Sequence, residues 1–396
     1  MLDITNLPSP KFCKFLLKML SGRSRVAHKN VEGAVHFTAA EVQVMTPDYK
    51  QAINTYFTCV DESFERGAYT RAYTFKPIAM ETMEYVLYKC PEYLGKYKRD
   101  DSGKKKYCEY YSLASITRLL QQNTVFKQPG DALFLKYLQL SCDVTGMLQV
   151  TYSQRSVKAR RFADGPSLQG CPKYLLPLII ARDITDIDIG NAHPTIILSL
   201  VKQVDEVADV EFLESYVVNR NLCFSQIMNE LKVSRDDAKT LVMMVVYGAS
   251  LTLCADWSCA AHDWVRKSGA KMKIVNNQYV WPSIIYGISA EIKANREKIL
   301  SLPKFKEIFA DFENRASALS LAVSMIENDI LSTMEGFFAY IGKDVSTLLF
   351  DGLHIQGVVT KEEIMECEKN IRARLLGAWD LECNMKLKTT EHEGNE

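Results

Sequence analysis

Hydrophobic positions recur along much of the chain with the periods of helices and strands. Residues 109–141 carry apolar residues at helical spacing, and "MLQVTYSQ" (147–154) alternates apolar with polar positions. The run "PLIIARDITDIDIG" (177–190) predicts a strand, and "HPTIILSLVKQV" (193–204) predicts the helix that follows it. Helices and strands are therefore expected together in the middle of the chain.

The remaining pattern is mostly helical. Residues 207–265 and 287–335 have helical spacing, and "KEEIMECEKNIRARLLGAW" (361–379) predicts an amphipathic helix. The stretch "DVSTLLFDGLHIQGV" (344–358) has apolar arms around an Asp-Gly pair, which indicates a β-hairpin, and "LECNMKLKT" (381–389) predicts a closing strand. Residues 1–75 are expected to form a small α/β preface. The pattern as a whole indicates an α+β protein.

One helical stretch combines charge and apolar character in an unusual order. In "RDDAKTLVMMVVYG" (235–248), the residues Arg235, Lys239, Met243 and Tyr247 follow one another at a spacing of four, with Gly248 next. Residues four apart lie on one face of a helix. That face presents two cations, a thioether and a phenol. A surface helix with an apolar continuation is the alternative interpretation.

Composition indicates a globular protein with an uneven distribution of charge. The 396 residues are 47% hydrophobic and carry no formal net charge, which argues against a generally basic nucleic-acid coat protein. Residues 1–182 hold 26 Lys and Arg against 16 Asp and Glu, which leaves 22 against 32 in residues 183–396. This split fits a basic surface for a polyanion beside an acidic centre that holds metal ions, although a chance partition would look the same.

The cysteines and the apolar runs indicate in which cellular compartment the protein is expected and whether it is expected to contact a membrane. The 11 cysteines are scattered and include no Cys-x-x-Cys pair, so we expect free thiols in an intracellular, reducing compartment such as the nucleus or cytoplasm. Cys254, Cys259 and His262 do not have a recognised zinc spacing, and ordinary buried thiols are the favoured interpretation. No apolar run reaches the ~18 residues of a membrane span, so no membrane partner is expected.

Two aspartates occupy similar positions in the predicted sheet. Asp188 lies at the end of a hydrophobic strand, and Asp351 lies at the turn of a hydrophobic hairpin. If the two carboxylates meet on one sheet, they can bind a pair of Mg²⁺ ions, with Mn²⁺ as a substitute. Either aspartate alone could equally cap a turn. Arg235 and Lys239 would complete a nucleotidyl-transfer site by holding a triphosphate.

These patterns resemble the family A DNA polymerases and the related phage-type single-subunit RNA polymerases. Arg235, Lys239, Met243, Tyr247 and Gly248 match the fingers motif, and the segments "DIDIGNAHP" and "LLFDGLHI" match the two palm motifs. A further family motif, which precedes the palm, is matched by "RRFADGPSLQGCP" through Arg160, Pro166, Leu168, Gln169 and Pro172. The sequence around "NAHP" (191–194) resembles that of divergent polymerases of viruses and mobile elements.

The resemblance implies a right-hand polymerase fold with an antiparallel palm sheet and mostly helical fingers and thumb. It divides the chain into an N-terminal extension of unknown role (1–75), a thumb-like region (76–155), the first part of the palm (156–200), the fingers (201–285) and the second part of the palm (286–396).

The resemblance also implies roles for individual residues. Asp188 and Asp351 would hold the metals, and Lys239 would assist catalysis. The other expected nucleotide-binding residues are Arg235, Met243, Tyr247, Gly248 and His193. Primer and template contacts would come from Arg160 and Gln169. The expected activity is addition of dNTPs to a primer 3′ end on a DNA template, without a proofreading exonuclease and with a helicase or primase as a further partner.

The chain departs from the family at four positions. Phe350 and Gly352 replace the usual His and acidic residue around Asp351, Met243 is typical of the RNA polymerases, and His193 stands at the position that selects the sugar. One alternative is therefore an RNA polymerase or primase on the same scaffold. Another is a degenerate polymerase fold that binds nucleic acid without catalysis. Retention of both aspartates argues against the second alternative.

Overall fold

A computed structural model describes most of the chain as two compact units. The described residues are 7–20, 35–37, 42–59, 71–90, 104–122, 124–154, 160–252, 260–310, 312, 314–383 and 385–393. The first unit comprises Met1–Ser153, Ala163–Ile184 and His392–Glu396, and the second comprises Gln154–Phe162 and Thr185–Glu391. The zinc alternative cannot be placed, because Cys254 and Cys259 lie outside the described residues.

The first unit begins with helices around a small sheet. In chain order the elements are α1 (Pro10–Leu20), β1 (Val35–Phe37), α2 (Tyr49–Tyr56), β2 (Phe57–Cys59), β3 (Arg71–Phe75) and α3 (Pro77–Lys89). The strand order is β1-β3-β2, and both pairings are antiparallel. Buried aromatic rings fill the space under the sheet; those of Phe37 and Tyr73 stack with their centroids 4.2 Å apart.

Among the remaining elements of the first unit, one helix packs against the hydrophobic core just described. These elements are β4 (Tyr107–Tyr110), α4 (Leu113–Gln122), α5 (Pro129–Ser141), β5 (Met147–Val150), a 3₁₀ turn (Leu168–Gly170) and α6 (Leu176–Ile179). Helix α5 packs on α1 and α3 and contributes Leu133 to the same hydrophobic cluster. Strands β4 and β5 pair antiparallel. The short strands β6 (Tyr152–Gln154) and β7 (Arg161–Ala163) lie where the chain passes from one unit to the other.

The second unit is dominated by helices. They are α7 (Ala192–Val204), α8 (Glu211–Val218), α9 (Arg220–Leu231), α10 (Arg235–Val246), α11 (Ala260–Ser268), α12 (Ser283–Leu300), α13 (Pro303–Phe309), α14 (Arg315–Tyr340) and α15 (Lys361–Trp379). Helix α14 has 26 residues and packs against α7, α12 and α15. A small hairpin of β9 (Lys273–Val275) and β10 (Gln278–Val280) follows α11.

One sheet of the second unit gathers strands that are distant in sequence. Its strands are β8 (Ile184–Ile189), β11 (Val345–Leu348), β12 (Gly352–Gln356) and β13 (Leu387–His392). They lie in the order β11-β12-β8-β13. The hairpin of β11 and β12 therefore adds to the edge of a strand that precedes it by more than 150 residues in the chain. The inner side chains of β8, such as Ile187, are fully buried.

The structure confirms an α+β protein with small antiparallel sheets, and it corrects three predicted elements. The predicted helix from residue 109 begins at Leu113, because Tyr107–Tyr110 pairs with β5 as a strand. The run before Ile184 is not strand, since Leu176–Ile179 forms a helical turn with Pro177 in its first positions, where proline is tolerated. The closing strand begins at Leu387 rather than Leu381. Among the described residues, no helix combines the length and the apolar character needed to cross a bilayer.

Candidate active site

The palm aspartates of the sequence analysis lie on neighbouring strands of one sheet. The backbone N–H of Ile189, next to Asp188, donates to the carbonyl oxygen of Asp351 at 2.8 Å. Further along, the Thr185 hydroxyl donates to the carbonyl oxygen of Gly357 at 2.7 Å. Residue numbers rise along β8 as they fall along β12, so the strands run antiparallel. This pairing brings Asp188 and Asp351 to the same end of the strand pair.

A glycine permits the close approach of these two strands. A methyl group added to Gly352 would lie 2.3 Å from the carbonyl oxygen of Ile187 and 2.5 Å from Oδ1 of Asp188. No side chain fits in that space, since real Cβ contacts do not come so close. The glycine that replaces the family's usual acidic residue therefore lies directly against the Asp188 carboxylate.

The two aspartates have a donor set that suits a hard divalent cation. Carboxylate oxygens are the ligands that Mg²⁺ and Mn²⁺ prefer. Both side chains are half-buried, so a bound ion would retain access to water and substrate. Asp186 lies two positions before Asp188 on β8 and so has its side chain on the same face of the strand, but among the described residues no three His, Cys, Asp or Glu side chains come together as a metal site. Nε2 of the buried His354 on β12 lies 3.7 Å from Oδ1 of Asp186.

The fingers motif forms the helix that its spacing predicts. Helix α10 runs from Arg235 to Val246, and the Ser234 hydroxyl caps it by accepting from the Asp237 N–H at 3.1 Å. Arg235 and Lys239 are exposed, whereas Met243 is half-buried. The face therefore changes from charged and solvated at its first turn to apolar at its last.

The helix ends at the last two residues of the motif. The Tyr247 N–H donates to the Met243 carbonyl at 3.1 Å, and Gly248 adopts a left-handed conformation with φ of +83°. A side chain at that φ is strained, and its Cβ would also lie 3.2 Å from Nη1 of Arg296. Gly248 is thus the residue that lets the chain turn away beside Tyr247.

The first cation of α10 is held by the preceding helix. Nη2 of Arg235 donates to Oδ1 of Asn221 at 3.0 Å, and its guanidinium carbon lies 5.0 Å from the ring centroid of Phe224. Arg220 lies against the same ring at 5.2 Å. Two guanidinium groups therefore share one aromatic ring, and they concentrate positive charge near the start of α10.

His193 connects helix α7, which follows β8, to the end of α10. A Gly190-Asn191 turn, with Asn191 in a left-handed conformation, ends β8 and begins α7, so His193 lies in the first turn of that helix. The side chain is buried, and its Nδ1 lies 2.6 Å from the Tyr247 hydroxyl. The two rings meet edge to face with centroids 5.5 Å apart. These contacts join two of the expected nucleotide-binding residues, and the sugar-selecting role of His193 remains a prediction.

Arg160 joins the same group of side chains. Its Nε donates to Oε2 of Glu327 at 2.6 Å, and its Nη2 donates to Oε1 at 3.0 Å. The same Nη2 lies 2.9 Å from Nε2 of His193. The guanidinium carbon lies 5.3 Å from the ring centroid of Phe350, the residue before Asp351. Arg160 therefore links His193 to the hairpin of β11 and β12.

Burial and hydrogen bonding shift the pKa values of Glu327 and Tyr247. Burial acts to raise the pKa of Glu327, but hydrogen bonds from His193 and Arg160 outweigh it and hold that pKa below its ordinary value. Burial also raises the pKa of Tyr247 to about 12. At neutral pH, Glu327 is an anion that accepts hydrogen bonds, and Tyr247 keeps its hydroxyl proton.

Gln169, the remaining predicted site residue, belongs to the first unit. Its Oε1 accepts from the Ala163 N–H at 2.9 Å, and the neighbouring Leu168 N–H donates to the buried Glu109 carboxylate at 2.9 Å. Glu109 also accepts from the Tyr111 hydroxyl. These contacts fix the 3₁₀ turn of "RRFADGPSLQGCP" through its own backbone. They give Gln169 a structural role in this turn, and its template contact remains a prediction.

The sequence analysis did not identify Glu327 as a site residue. Its only signal in the sequence is a carboxylate inside the mostly apolar run "LAVSMIENDIL" of α14. The structure shows that this residue is 0% exposed. A buried charge of that kind needs a cationic or hydrogen-bonding partner. The identity of that partner depends on long-range packing, which the pattern of the run does not contain.

Comparisons with known proteins give one relative in sequence and a structural neighbour. No family model matches the chain. It is 27% identical over 267 residues to "Putative helicase V13" of Sputnik virophage, and the match covers 64% of this chain and 31% of that protein. The chain thus matches about a third of the length of that relative. The structure is similar to the polymerase domain of Pol1 from M. smegmatis in complex with DNA primer-template and dNTP, with a TM-score of 0.42, 12% identity, and coverage of 98% of this chain and 67% of that chain.

Proposed function

We propose that this chain is a template-directed DNA polymerase that adds dNTPs to a primer 3′ end. One observation carries the proposal: residues of four separate motif segments, Arg160, His193, Tyr247 and Phe350, form one contact group in the second unit. That group adjoins the strand pair bearing Asp188 and Asp351. If the spacing of residues in α10 had arisen by chance, its Tyr247 would not be expected to share one contact group with the segments that contain His193 and Phe350.

The proposed site divides its work between strands and helix. Asp188 and Asp351 would hold two Mg²⁺ ions, or Mn²⁺ in their place. When bound, such ions polarise the transferring phosphoryl group and stabilise the attacking and leaving oxygens. Arg235 and Lys239 would bind the triphosphate and offset charge on the departing pyrophosphate. Met243, Tyr247 and Gly248 would lie along the sugar and base.

Three side chains would recognise the rest of the substrate. His193 is bulky and fixed by its contacts, so it would exclude a 2′-hydroxyl by steric fit and by leaving that hydroxyl without a partner. Arg160 and Gln169 would contact primer and template. The name of the virophage relative, a putative helicase, agrees with a role in copying DNA beside a helicase or primase. The scattered cysteines are the reason for proposing a reducing compartment.

Met243 favours a second candidate, an RNA polymerase or primase on the same scaffold. A methionine at this position is the choice typical of the phage-type RNA polymerases. The bulk of His193 opposes that candidate, because a ribonucleotide enzyme needs space for the 2′-hydroxyl. The two candidates therefore differ in sugar preference and in the need for a primer.

One assay separates these candidates. Purified protein is given a template with or without an annealed primer, each with dNTPs or NTPs, in Mg²⁺ or in excess chelator. We expect extension only with primer, dNTPs and free Mg²⁺. Synthesis from NTPs without a primer would establish the second candidate instead. If nucleic acid binds and no nucleotide is added under any condition, the chain is a binding module.

A further inference from the structure

Glu327 uses both of its carboxylate oxygens on two residues of the proposed site. Oε1 lies 2.5 Å from Nε2 of His193 and accepts from Nη2 of Arg160 at 3.0 Å. Oε2 accepts from Nε of Arg160 at 2.6 Å. Because the carboxylate is wholly buried, these bonds stand in a region that water does not reach, where they are strong and directional. The position of one carboxylate thus determines the positions of two side chains.

The same contacts select one tautomer of His193. A carboxylate only accepts hydrogen bonds, so Oε1 of Glu327 at 2.5 Å from Nε2 of His193 places the ring proton on Nε2. In that neutral tautomer Nδ1 is the acceptor, and it accepts from the Tyr247 hydroxyl at 2.6 Å. Without Glu327, neither the tautomer nor the tilt of the ring would be fixed.

We propose that Glu327 is a positioning residue that holds His193 in the orientation that rejects a 2′-hydroxyl. The inference rests on the proposed function, because it concerns the sugar choice of that site. Glu327 acts through His193 and need not touch the nucleotide. A gate that can tilt would admit the 2′-hydroxyl, whereas a gate fixed from behind by a buried anion would not.

Helix α14 carries a matched pair that lacks the connection to His193. Eight residues after Glu327, the buried Glu335 accepts from Nη1 of Arg161 at 2.8 Å. Arg161 also donates to Asn328 and Ser332 of the same helix. This Arg–Glu pair has similar burial and the same helical location. Its loss should therefore reproduce the structural cost of losing Glu327 without the effect on sugar choice.

The test is a double-mutant cycle on the ratio of kcat/KM for NTP to that for dNTP in single-nucleotide primer extension. Glu327→Gln keeps the shape but replaces one of the two acceptor oxygens by an NH₂ donor, so at least one of the bonds to His193 and Arg160 is lost to a contact between two donors. His193→Gly should raise the ratio roughly tenfold, and Glu327→Gln should raise it about threefold or more. The double variant should not exceed His193→Gly, because both changes remove the same gate. Glu335→Gln should leave the ratio unchanged.

A measurement on the wild-type protein is independent of turnover and of whether any variant folds. Nitrogen-15 NMR of histidine-labelled protein distinguishes protonated from unprotonated ring nitrogens. We expect Nδ1 of His193 to be unprotonated at neutral pH, and Glu327→Gln to produce a mixture of tautomers. A wild-type protein with its proton on Nδ1 would overturn the inference.

The outcomes separate this inference from the proposed function. A wild-type protein that adds neither dNTPs nor NTPs overturns both. A wild-type protein that extends primers, together with an unchanged ratio in Glu327→Gln, overturns the positioning role alone. Effects of Glu327→Gln and His193→Gly that add independently also overturn it, since they would show that Glu327 does not act through His193.

Discussion

The strand pair β8 and β12, the proposed palm, and helix α10, the proposed fingers helix, present their proposed functional groups in opposite ways. Asp188 and Asp351 are half-buried, with the backbones beside them joined by a hydrogen bond of 2.8 Å and by the contact of Gly352 with Asp188. Lys239 and Arg235 are exposed on the first turns of α10, and Arg235 is held there by side-chain contacts with Asn221 and Phe224. Backbone pairing positions the acidic groups, whereas contacts between long, exposed side chains position the basic ones.

The difference fits what each region is proposed to bind. A metal pair needs ligands within a few tenths of an ångström, which paired strands supply without loss of side-chain freedom on binding. A triphosphate tail is long and charged, and long, exposed cationic side chains can follow it, although ordering them costs entropy. Changes in backbone shape should therefore damage the palm, and changes in charge should damage the fingers.

The largest effect is expected from removing either palm carboxylate. Asp188→Asn or Asp351→Asn should abolish nucleotide addition and leave template binding intact, because a neutral amide is a poor metal ligand. Primer extension and a gel-shift assay measure the two properties. Asp344→Asn, an exposed change just before β11, is the control and should extend normally. Near wild-type extension by either palm variant would contradict the assignment.

The next effect is expected from a change of charge in the fingers. Lys239→Ala should cost on the order of 3 kcal/mol of transition-state stabilisation, the scale for one lost charge donor. It should lower kcat rather than DNA affinity or thermal stability, because Lys239 is exposed. Single-turnover kinetics and a melting curve test this. Thr240→Ala, the next residue around the helix, is the control. If DNA affinity alone fell, Lys239 would be a backbone-binding residue instead.

A change of shape in the palm should act on stability and activity together. Gly352→Ala places a methyl group against Ile187 and Asp188, so we expect a loss of about 1–3 kcal/mol in the free energy of unfolding. Activity should fall as well, since the strands must separate beside Asp351. Gly336→Ala on α14 is the control, because no atom lies within 4 Å of its added methyl group. Urea unfolding and primer extension report both quantities; an active, stable Gly352→Ala protein would break the comparison.

The sequence predicts the parts of this site that depend on local pattern. Helix α10 has the face that the spacing of Arg235 to Tyr247 requires, and α7 follows β8 as its apolar period indicates. The hairpin around Asp351 is present, but its turn is shifted by one residue: the Leu349 N–H donates to the Gly352 carbonyl, so Gly352 belongs to β12 and not to the centre of the turn. Local errors occur where proline or a distant partner decides, as in the helical turn at Pro177 and the strand at Tyr107.

The connections between segments were largely beyond the sequence. Arg160, His193 and Glu327 are separated by 33 and 134 residues and yet form one hydrogen-bonded group. No periodicity encodes which buried carboxylate meets which cation. The family resemblance placed Arg160 and His193 in the site, whereas Glu327 belongs to no motif and depends on the packing of α14.

The smallest expected effect tests whether the fingers helix is prearranged at its first turn. Ser234→Ala removes the side-chain acceptor of the Asp237 N–H, and the loss of a serine N-cap costs about 1 kcal/mol. The matched control is Thr360→Ala, which removes the cap of α15, where the Thr360 hydroxyl accepts from the Glu363 N–H. Both variants should lose similar stability in urea. Only Ser234→Ala should raise KM for dNTP, by about threefold, because fraying would displace Arg235 from Asn221 and from the proposed phosphate site. Equal KM values in the two variants would mean that the nucleotide orders Arg235 and that the helix cap does not. The backbone at the start of α10 would then also adapt to the nucleotide, as the exposed side chains of Arg235 and Lys239 are proposed to do.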